Sequence, residues 1–378
     1  MRGAGAWQTK TVVPCLATIV SVISMAGDSI VGEYMNLIGK TSVEIAELLK
    51  GGGDRDFRGQ QVAGWIHQRD ARTFEEMSNI PKVLRNQLAK KFFLTEPKVL
   101  ERAFSGDGST KYLFEVEGGA TFEGVSMPDG GKATLCLSSQ TGCAVGCTFC
   151  VTGALGAGRN LGPEEMVGQY RLMRRDLPGE VERINLVFMG MGEPLFNTTH
   201  LGQALEILFE RVSPKRITIS TAGIIPGIRW MAALSKRPKL AVSLNAPDQH
   251  RRQEIMPISR RYPLDQLMAS IRAFPLERGR RITFEYVLIR DFNDSVADAG
   301  AVARLIAGIP CKINIIPLNE DATHFPELRQ PSKEVVDDFA GTLRDAGRVV
   351  TVRWSKGADV AAACGQLKGR NTAVLALK

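Results

Sequence analysis

From Lys132 onward, short apolar runs alternate with amphipathic stretches along the chain. ATLCLSS (133–139), INLVFM (184–189), RITIS (216–220), LAVSLN (240–245), ITFEYVLI (282–289) and KINIIPL (312–318) read as strands. ALEILFERV and EVVDDFAGTLRDAG carry the helical period between or after them. Near-continuous apolar strands separated by helices predict an α/β architecture with a parallel sheet under a helical layer. Six such units suffice for an open, partial (βα)6 barrel, and VVTVRW (349–354) adds a strand after the last helix.

Upstream the period changes. From about 35 to 95 it is helical, with SVEIAELL, GQQVAGWIHQR and IPKVLRNQLAKKF on either side of GGGDRDFRG (51–59). STKYLFEVEGGATFEGVSMP then alternates like a hairpin that turns at Gly118 and Gly119. The predicted organisation is a leader or over-extended start (1–34), a small helical N-terminal accessory domain (35–95), a β-hairpin linker region (96–131), and the core (132–378).

Composition places the chain among ordinary soluble globular proteins, 44% hydrophobic and 23% charged. The 48 Lys and Arg against 40 Asp and Glu make it basic, which is compatible with a polyanionic partner such as RNA without specifying one. Seven unevenly spaced cysteines are not a secreted disulfide framework, so a reducing, cytoplasmic setting is expected. Residues 1–27 contain no acid, and Thr11 to Ser24 is largely apolar but interrupted by Pro14. That run is too short to span a bilayer, so no membrane association is expected. It reads either as a targeting peptide or as an over-long start before Met25.

Chemistry concentrates in the loops that follow the strands. CAVGCTFC sets Cys143, Cys147 and Cys150 after the first strand, and GMGEP (190–194) follows the second. Ser220, the stretch Ser243 to Asn245, and Asn319 end or follow later strands. In barrels the carboxyl ends of the strands carry the site, so these residues are predicted to share one rim. Three thiolates suit an iron–sulfur cluster with one iron left free of protein ligands. A structural zinc needs a fourth ligand, and none of His67, His200, His250 or His324 stands at a zinc-ligand spacing. Plain burial of the cysteines is the bland alternative.

C-x3-C-x2-C with Phe149 before the last cysteine resembles the radical S-adenosylmethionine (SAM) superfamily. LCLSSQTGCAVGCTFC, GMGEPL, ITISTAGIIP, SLNAP, CKINIIPLN and ADVAAACGQLKG together resemble the RlmN/Cfr family of radical SAM RNA methyltransferases, from about residue 35 to the C-terminus. The resemblance implies a 4Fe-4S cluster on Cys143, Cys147 and Cys150, with SAM as the missing ligand. It implies that Gly192 and Glu193 hold the SAM amino end, and that Ser220, Ser243, Leu244, Asn245 and Asn319 line the rest of that site. Asn245 stands where the family often has His, which puts a proton-transfer role there in doubt.

The same resemblance assigns Cys364 as a methyl-carrying cysteine, Cys136 as its resolving partner through a transient disulfide, and Glu123 as the proton acceptor. One SAM would methylate Cys364; a second would generate the radical that attaches its methylene to the base; Cys136 would release the product. EGVSMP around Glu123 departs from the family's more usual ETVxIP. The implied substrate is adenosine of 23S rRNA, with tRNA as a second candidate. C2 is favoured as the commoner activity, and Cfr-type C8 methylation or a non-enzymatic metal-stabilised RNA-binding module are the competing readings. A monomer that takes electrons from flavodoxin or ferredoxin is expected, with the 35–95 helices gripping RNA phosphates. KRPK (236–239) and RRQ (251–253) are further candidates for phosphate contact, while Cys15 and Cys311 fit no role.

Overall fold

The structure, a computed structural model, describes residues 34–50 and 56–369. The expectations for the first 33 residues, Cys15 and Met25 included, lie outside the described residues. Three helices open the described chain: α1 (Ser42–Lys50), α2 (Asp56–Ala63) and α3 (Lys82–Lys91). Thr41 and Glu44 start α1 by reciprocal hydrogen bonds, Thr41 N to Glu44 Oε2 at 2.8 Å and Glu44 N to Thr41 Oγ1 at 3.2 Å. Two short parallel strands, β1 (Met35–Asn36) and β2 (Phe92–Phe93), close the segment on itself.

The next strands are β3 (Lys98–Phe104), β4 (Thr110–Glu115) and β5 (Thr121–Asp129), all antiparallel. The expected hairpin is β4 and β5, but the region is no linker. It extends the main sheet, because β5 pairs antiparallel with β6 (Lys132–Leu137). Strand β3 escapes sequence reading because its buried and exposed positions do not alternate. From β6 the strands β7 (Arg183–Phe188), β8 (Ile217–Thr221), β9 (Lys239–Ser243), β10 (Ile282–Leu288), β11 (Cys311–Pro317) and β12 (Val350–Val352) run parallel in chain order.

Helices α4 (Val151–Ala154), α5 (Pro163–Arg175), α6 (Thr198–Leu208), α7 (Ile225–Ala233), α8 (Gln249–Ile255), α9 (Leu264–Arg272), α10 (Val296–Leu305) and α11 (Lys333–Asp345) lie between these strands. The strands carry two faces. Leu135, Leu186, Ile219, Val242, Phe284 and Ile313 join the apolar core under the helices. Thr134, Asn185, Thr218, Thr283 and Asn314 face one cavity that touches every strand from β6 to β11. A sheet whose six strands share one interior is curled, which gives the expected partial barrel. Among the described residues no helix is long and apolar enough to cross a membrane.

The N-terminal helices are part of the same core: Ile45, Val62, Ile66, Leu84 and Leu88 are buried within it. A buried ionic cluster ties them to α5. Arg171 Nε lies 2.5 Å from Glu96 Oε1 and 3.2 Å from Asp70 Oδ1, and its Nη2 donates to Ala71 O at 2.8 Å. Arg175 Nη1 reaches Asp70 Oδ2 at 3.0 Å. Replacing Arg171 with Met would leave Asp70 and Glu96 with Arg175 as their one cation and strip the Ile66 and Ala71 carbonyls of their donor. The expected loss is about 3–5 kcal/mol, read as a lower urea midpoint. An unchanged midpoint would remove this cluster from the account of how the helices are held.

Candidate active site

Each loop at the carboxyl ends of the strands is anchored by its neighbours. Ser138, after β6, donates from Oγ to Glu123 O at 2.5 Å and accepts from Met191 N at 2.7 Å. Gln140 Oε1 accepts from Glu193 N at 2.8 Å. Gly192 has φ 99°, and a Cβ there would stand 2.5 Å from Gln140 Cβ, so only glycine lets these two loops touch. Glu193 is buried, and its Oε2 accepts from Ala222 N at 2.6 Å. Burial pushes its carboxyl up to about 7, despite the N–H groups that point at it.

The cysteine loop follows the same logic. Cys143 N donates to Gly156 O at 2.8 Å and Thr148 N to Ile255 O at 3.0 Å. A Cβ on Gly142 would sit 2.6 Å from the Gly156 carbonyl, so glycine there lets the two loop segments pack closely. Cys143, Cys147 and Cys150 border one cavity together with Gly192 and Glu193. Ser220, Ser243, Asn245 and Asn319 line it too. Leu244 does not; its side chain is buried in the core, and its N–H donates to Glu285 O at 2.9 Å.

Asn245 has φ 59°, a left-handed conformation that asparagine tolerates better than most residues. Its Oδ1 accepts from Val287 N at 2.9 Å and its carbonyl from Asn293 Nδ2 at 2.7 Å, which joins the ends of β9 and β10.

Beneath this wall lies Arg252, fully buried. Its Nε donates to Leu244 O at 3.0 Å, its Nη2 to Ala222 O at 2.7 Å and Ser243 O at 3.0 Å, and its Nη1 to Ser259 Oγ. The expected phosphate contact at RRQ is therefore wrong for this residue: desolvation, which lowers its pKa to about 10, is offset by carbonyls. Arg251 is committed to Asp248 and Asp298, both at 2.7 Å.

The C-terminal segment closes the site from the far side. The β3–β4 turn grips it, with Asp107 Oδ2 accepting from Gly357 N at 2.7 Å and Ser105 Oγ donating to Asp359 Oδ1 at 2.5 Å. Val151 N donates to Gly365 O at 2.7 Å, and Asn319 Nδ2 to Cys364 O at 3.0 Å. Cys364 is in this irregular segment, not in a helix, and it lines two cavities. One is shared with the three loop cysteines. The other, of 510 Å³, holds Cys136, with apolar Val125, Met127, Val187 and Met189 and the exposed Trp354. All described cysteines are free thiols.

Glu123 borders neither cavity. It is buried, 3.4 Å from Lys111 Nζ, and its Oε2 accepts from Lys368 N at 2.8 Å. Lys111 Nζ also reaches Ala361 O at 3.3 Å, so one cation bridges Glu123 to the Cys364 segment. Sequence reading missed Lys111 and Arg353, which lines both thiol cavities, and misplaced Arg252. Nothing in a charge pattern says which partner a basic residue will meet.

Three thiols on one cavity wall are a donor set suited to an iron–sulfur cluster. Cys147 is raised by burial and by the proximity of Cys150 and Cys143.

Comparison with known proteins matches residues 35–94 to the ribosomal RNA large subunit methyltransferase N-terminal domain and residues 137–299 to the radical SAM superfamily. The dual-specificity RNA methyltransferase RlmN of Pelobacter propionicus is 44% identical over 89% of this chain and 97% of its own length. That of Syntrophotalea carbinolica is 46% identical over 88% of this chain and 89% of its own. A radical SAM methyltransferase structure from Sphaerobacter thermophilus superposes with a TM-score of 0.83 at 40% identity, covering 89% of this chain and all of that one.

Arg252→Met should leave three carbonyls unpaired in a buried wall. Thermal unfolding should occur several degrees lower, and SAM affinity measured by calorimetry should fall at least about tenfold. Wild-type affinity in a folded Arg252→Met protein would show that the wall does not need this cation.

Proposed function

The chain belongs to the RlmN family of dual-specificity RNA methyltransferases within the radical SAM superfamily, and from that premise we propose that it methylates C2 of adenosine in ribosomal and transfer RNA. The observation that carries this reading is the position of Cys364 on the walls of two cavities, one shared with the cysteine loop and one with Cys136. A carrier that receives a methyl group on one side and delivers it on the other needs that placement.

When bound, a 4Fe-4S cluster and SAM supply methyl groups and a one-electron route to a carbon radical. Cys143, Cys147 and Cys150 would hold the cluster; Gly192, Glu193, Ser220, Ser243, Asn245 and Asn319 would surround SAM, while Leu244 stays outside that wall. C2 of adenine is an electron-poor sp² carbon, a poor nucleophile towards a sulfonium methyl, which is why a sulfur carrier is useful. Once a thioether joins Cys364 to the ring, the adduct's unpaired electron would return through the same one-electron route while Glu123 accepts the ring proton, which leaves a closed-shell thioether. For Glu123 to do so, its hydrogen bond from Lys368 N must open. The Cys136 thiolate then attacks the Cys364 sulfur. An S–S bond forms as the C–S bond breaks, and the electron pair stays with the methylene carbon, which takes a proton to become methyl.

Lysines and arginines on the 35–95 helices would hold RNA phosphates, Lys82, Lys90 and Lys91 among them, all exposed. A reduced flavodoxin or ferredoxin would donate the electron.

Cys143→Ala, Cys147→Ala and Cys150→Ala should each lose the roughly 400 nm absorbance of an iron–sulfur protein and all methyl transfer. Retention of the absorbance in any of the three would refute the ligand set. Cys136→Ala should accumulate a protein–RNA crosslink on denaturing gels, absent when Cys364 is also Ala; normal turnover without adduct would end the resolving role. Burial pushes the Cys136 thiol up to about 12, so its thiolate fraction still rises through neutral pH. Single-turnover product release should therefore quicken roughly tenfold per pH unit between about 7 and 9, and a flat profile would contradict attack by this thiol. Mass spectrometry of the nucleoside decides the position: 8-methyladenosine in place of 2-methyladenosine would overturn C2.

A further inference from the structure

Four successive parallel strands begin with basic residues. Lys215 and Arg216 precede β8, Arg237 and Lys239 flank the start of β9, Arg280 and Arg281 precede β10, and Lys312 is the second residue of β11. These are the amino ends of the strands, the end opposite the cysteine loop. All seven side chains border one cavity of 610 Å³, a size typical of small-ligand sites.

Two carboxylates, Glu277 and Glu285, share this lining, so the cations are neutralised only in part. Arg280 pairs with Glu277 at 3.0 Å. Among the described residues Lys215, Arg216, Lys239, Arg281 and Lys312 form no salt bridge. Lys239 is held below the usual lysine range by burial and by the neighbouring Lys312 and Arg280 cations. Cations that outnumber the two carboxylates beside them leave an excess of positive charge, which favours an anion.

The inner end of the cavity has another character. Thr134, Asn185, Thr218 and Thr283 line it. Asn314, 4% exposed, gives its amide N–H to Glu285 Oε1 at 2.9 Å, which leaves its own Oδ1 buried with no hydrogen-bond partner. Such an acceptor costs about 1–3 kcal/mol until something donates to it.

We propose that the amino-terminal end of the barrel is a second binding site, for a nucleotide: phosphates among the lysines and arginines, and a base donating an N–H to Asn314. The nucleotide is either free or one residue of an RNA strand. The site opens at the end opposite the thiols and shares only Met189, Glu285 and Arg353 with the cysteine-lined cavity, so anion binding can be tested without methyl transfer.

The experiment titrates the full chain, cluster intact, with ATP and with inorganic tripolyphosphate by calorimetry. Saturable binding of both is expected, weakened about tenfold or more in the Lys239→Ala, Lys312→Ala double variant, which relieves cation crowding and should melt no lower than wild type. Asn314→Leu should weaken ATP but not tripolyphosphate; equal ATP affinity would overturn the placement of the base. The KM for RNA separates the sources. A KM raised in the double variant with unchanged kcat, and raised in wild type by tripolyphosphate, assigns the phosphates to RNA. An unmoved KM with ATP binding assigns them to a free nucleotide. If neither anion binds saturably, or the double variant binds both as wild type does, and KM for RNA is also unmoved, the site does not exist.

Discussion

A guanidinium removed from water must find acceptors for its N–H groups in the protein, and at Arg252 these are the carbonyls that close two strands. Ala222 O follows β8, and Ser243 O and Leu244 O end β9, so one side chain fixes the relative positions of both loops. The same loops present Ser220, Ser243 and Asn245 to the cavity beside the cysteines. Helix α8, which carries Arg252, also accepts Thr148 N of the cysteine loop at its last residue, Ile255. A buried cation is expensive unless every donor is met. Here the need to meet them builds the wall.

On the opposite side the antiparallel extension does the equivalent work without a buried arginine. The β3–β4 turn holds the segment 357–359 through Asp107, Ser105 and Asp359, and Lys111 of β4 reaches Ala361 and Glu123. Cys364 is thereby suspended between two spaces, with Cys136 at the end of β6 beyond it. Strands that the sequence presents as a connector are the scaffold for the carrier thiol.

The curled sheet has opposite chemistry at its two ends. The carboxyl ends bear thiols, small polar groups and a carboxylate, Glu193, whose proton affinity burial has raised. The amino ends bear lysines and arginines that no described salt bridge neutralises, apart from Arg280. Arg353, Glu285 and Val187 border cavities at both ends, so the barrel interior separates the two chemistries by only a layer of side chains.

Local rules on their own determined much of this molecule. Hydrophobic periodicity located β6 to β12 to within a residue or two of each strand start, because apolar strands under helices leave a short-range record. The spacing of Cys143, Cys147 and Cys150, and the polar residues that end successive strands, marked the rim, since parallel strands must all point their carboxyl ends one way. Only the tertiary structure decided which charges are buried. RRQ looks solvated, yet Arg252 is in the core; Lys111 is an ordinary strand lysine until Glu123 appears across β4 and β5. It alone showed that Leu244 turns away from the cavity and that Glu123 is latched to Lys368 N. Periodicity depends on neighbours three or four residues away, whereas desolvation and pairing depend on residues brought together from across the chain.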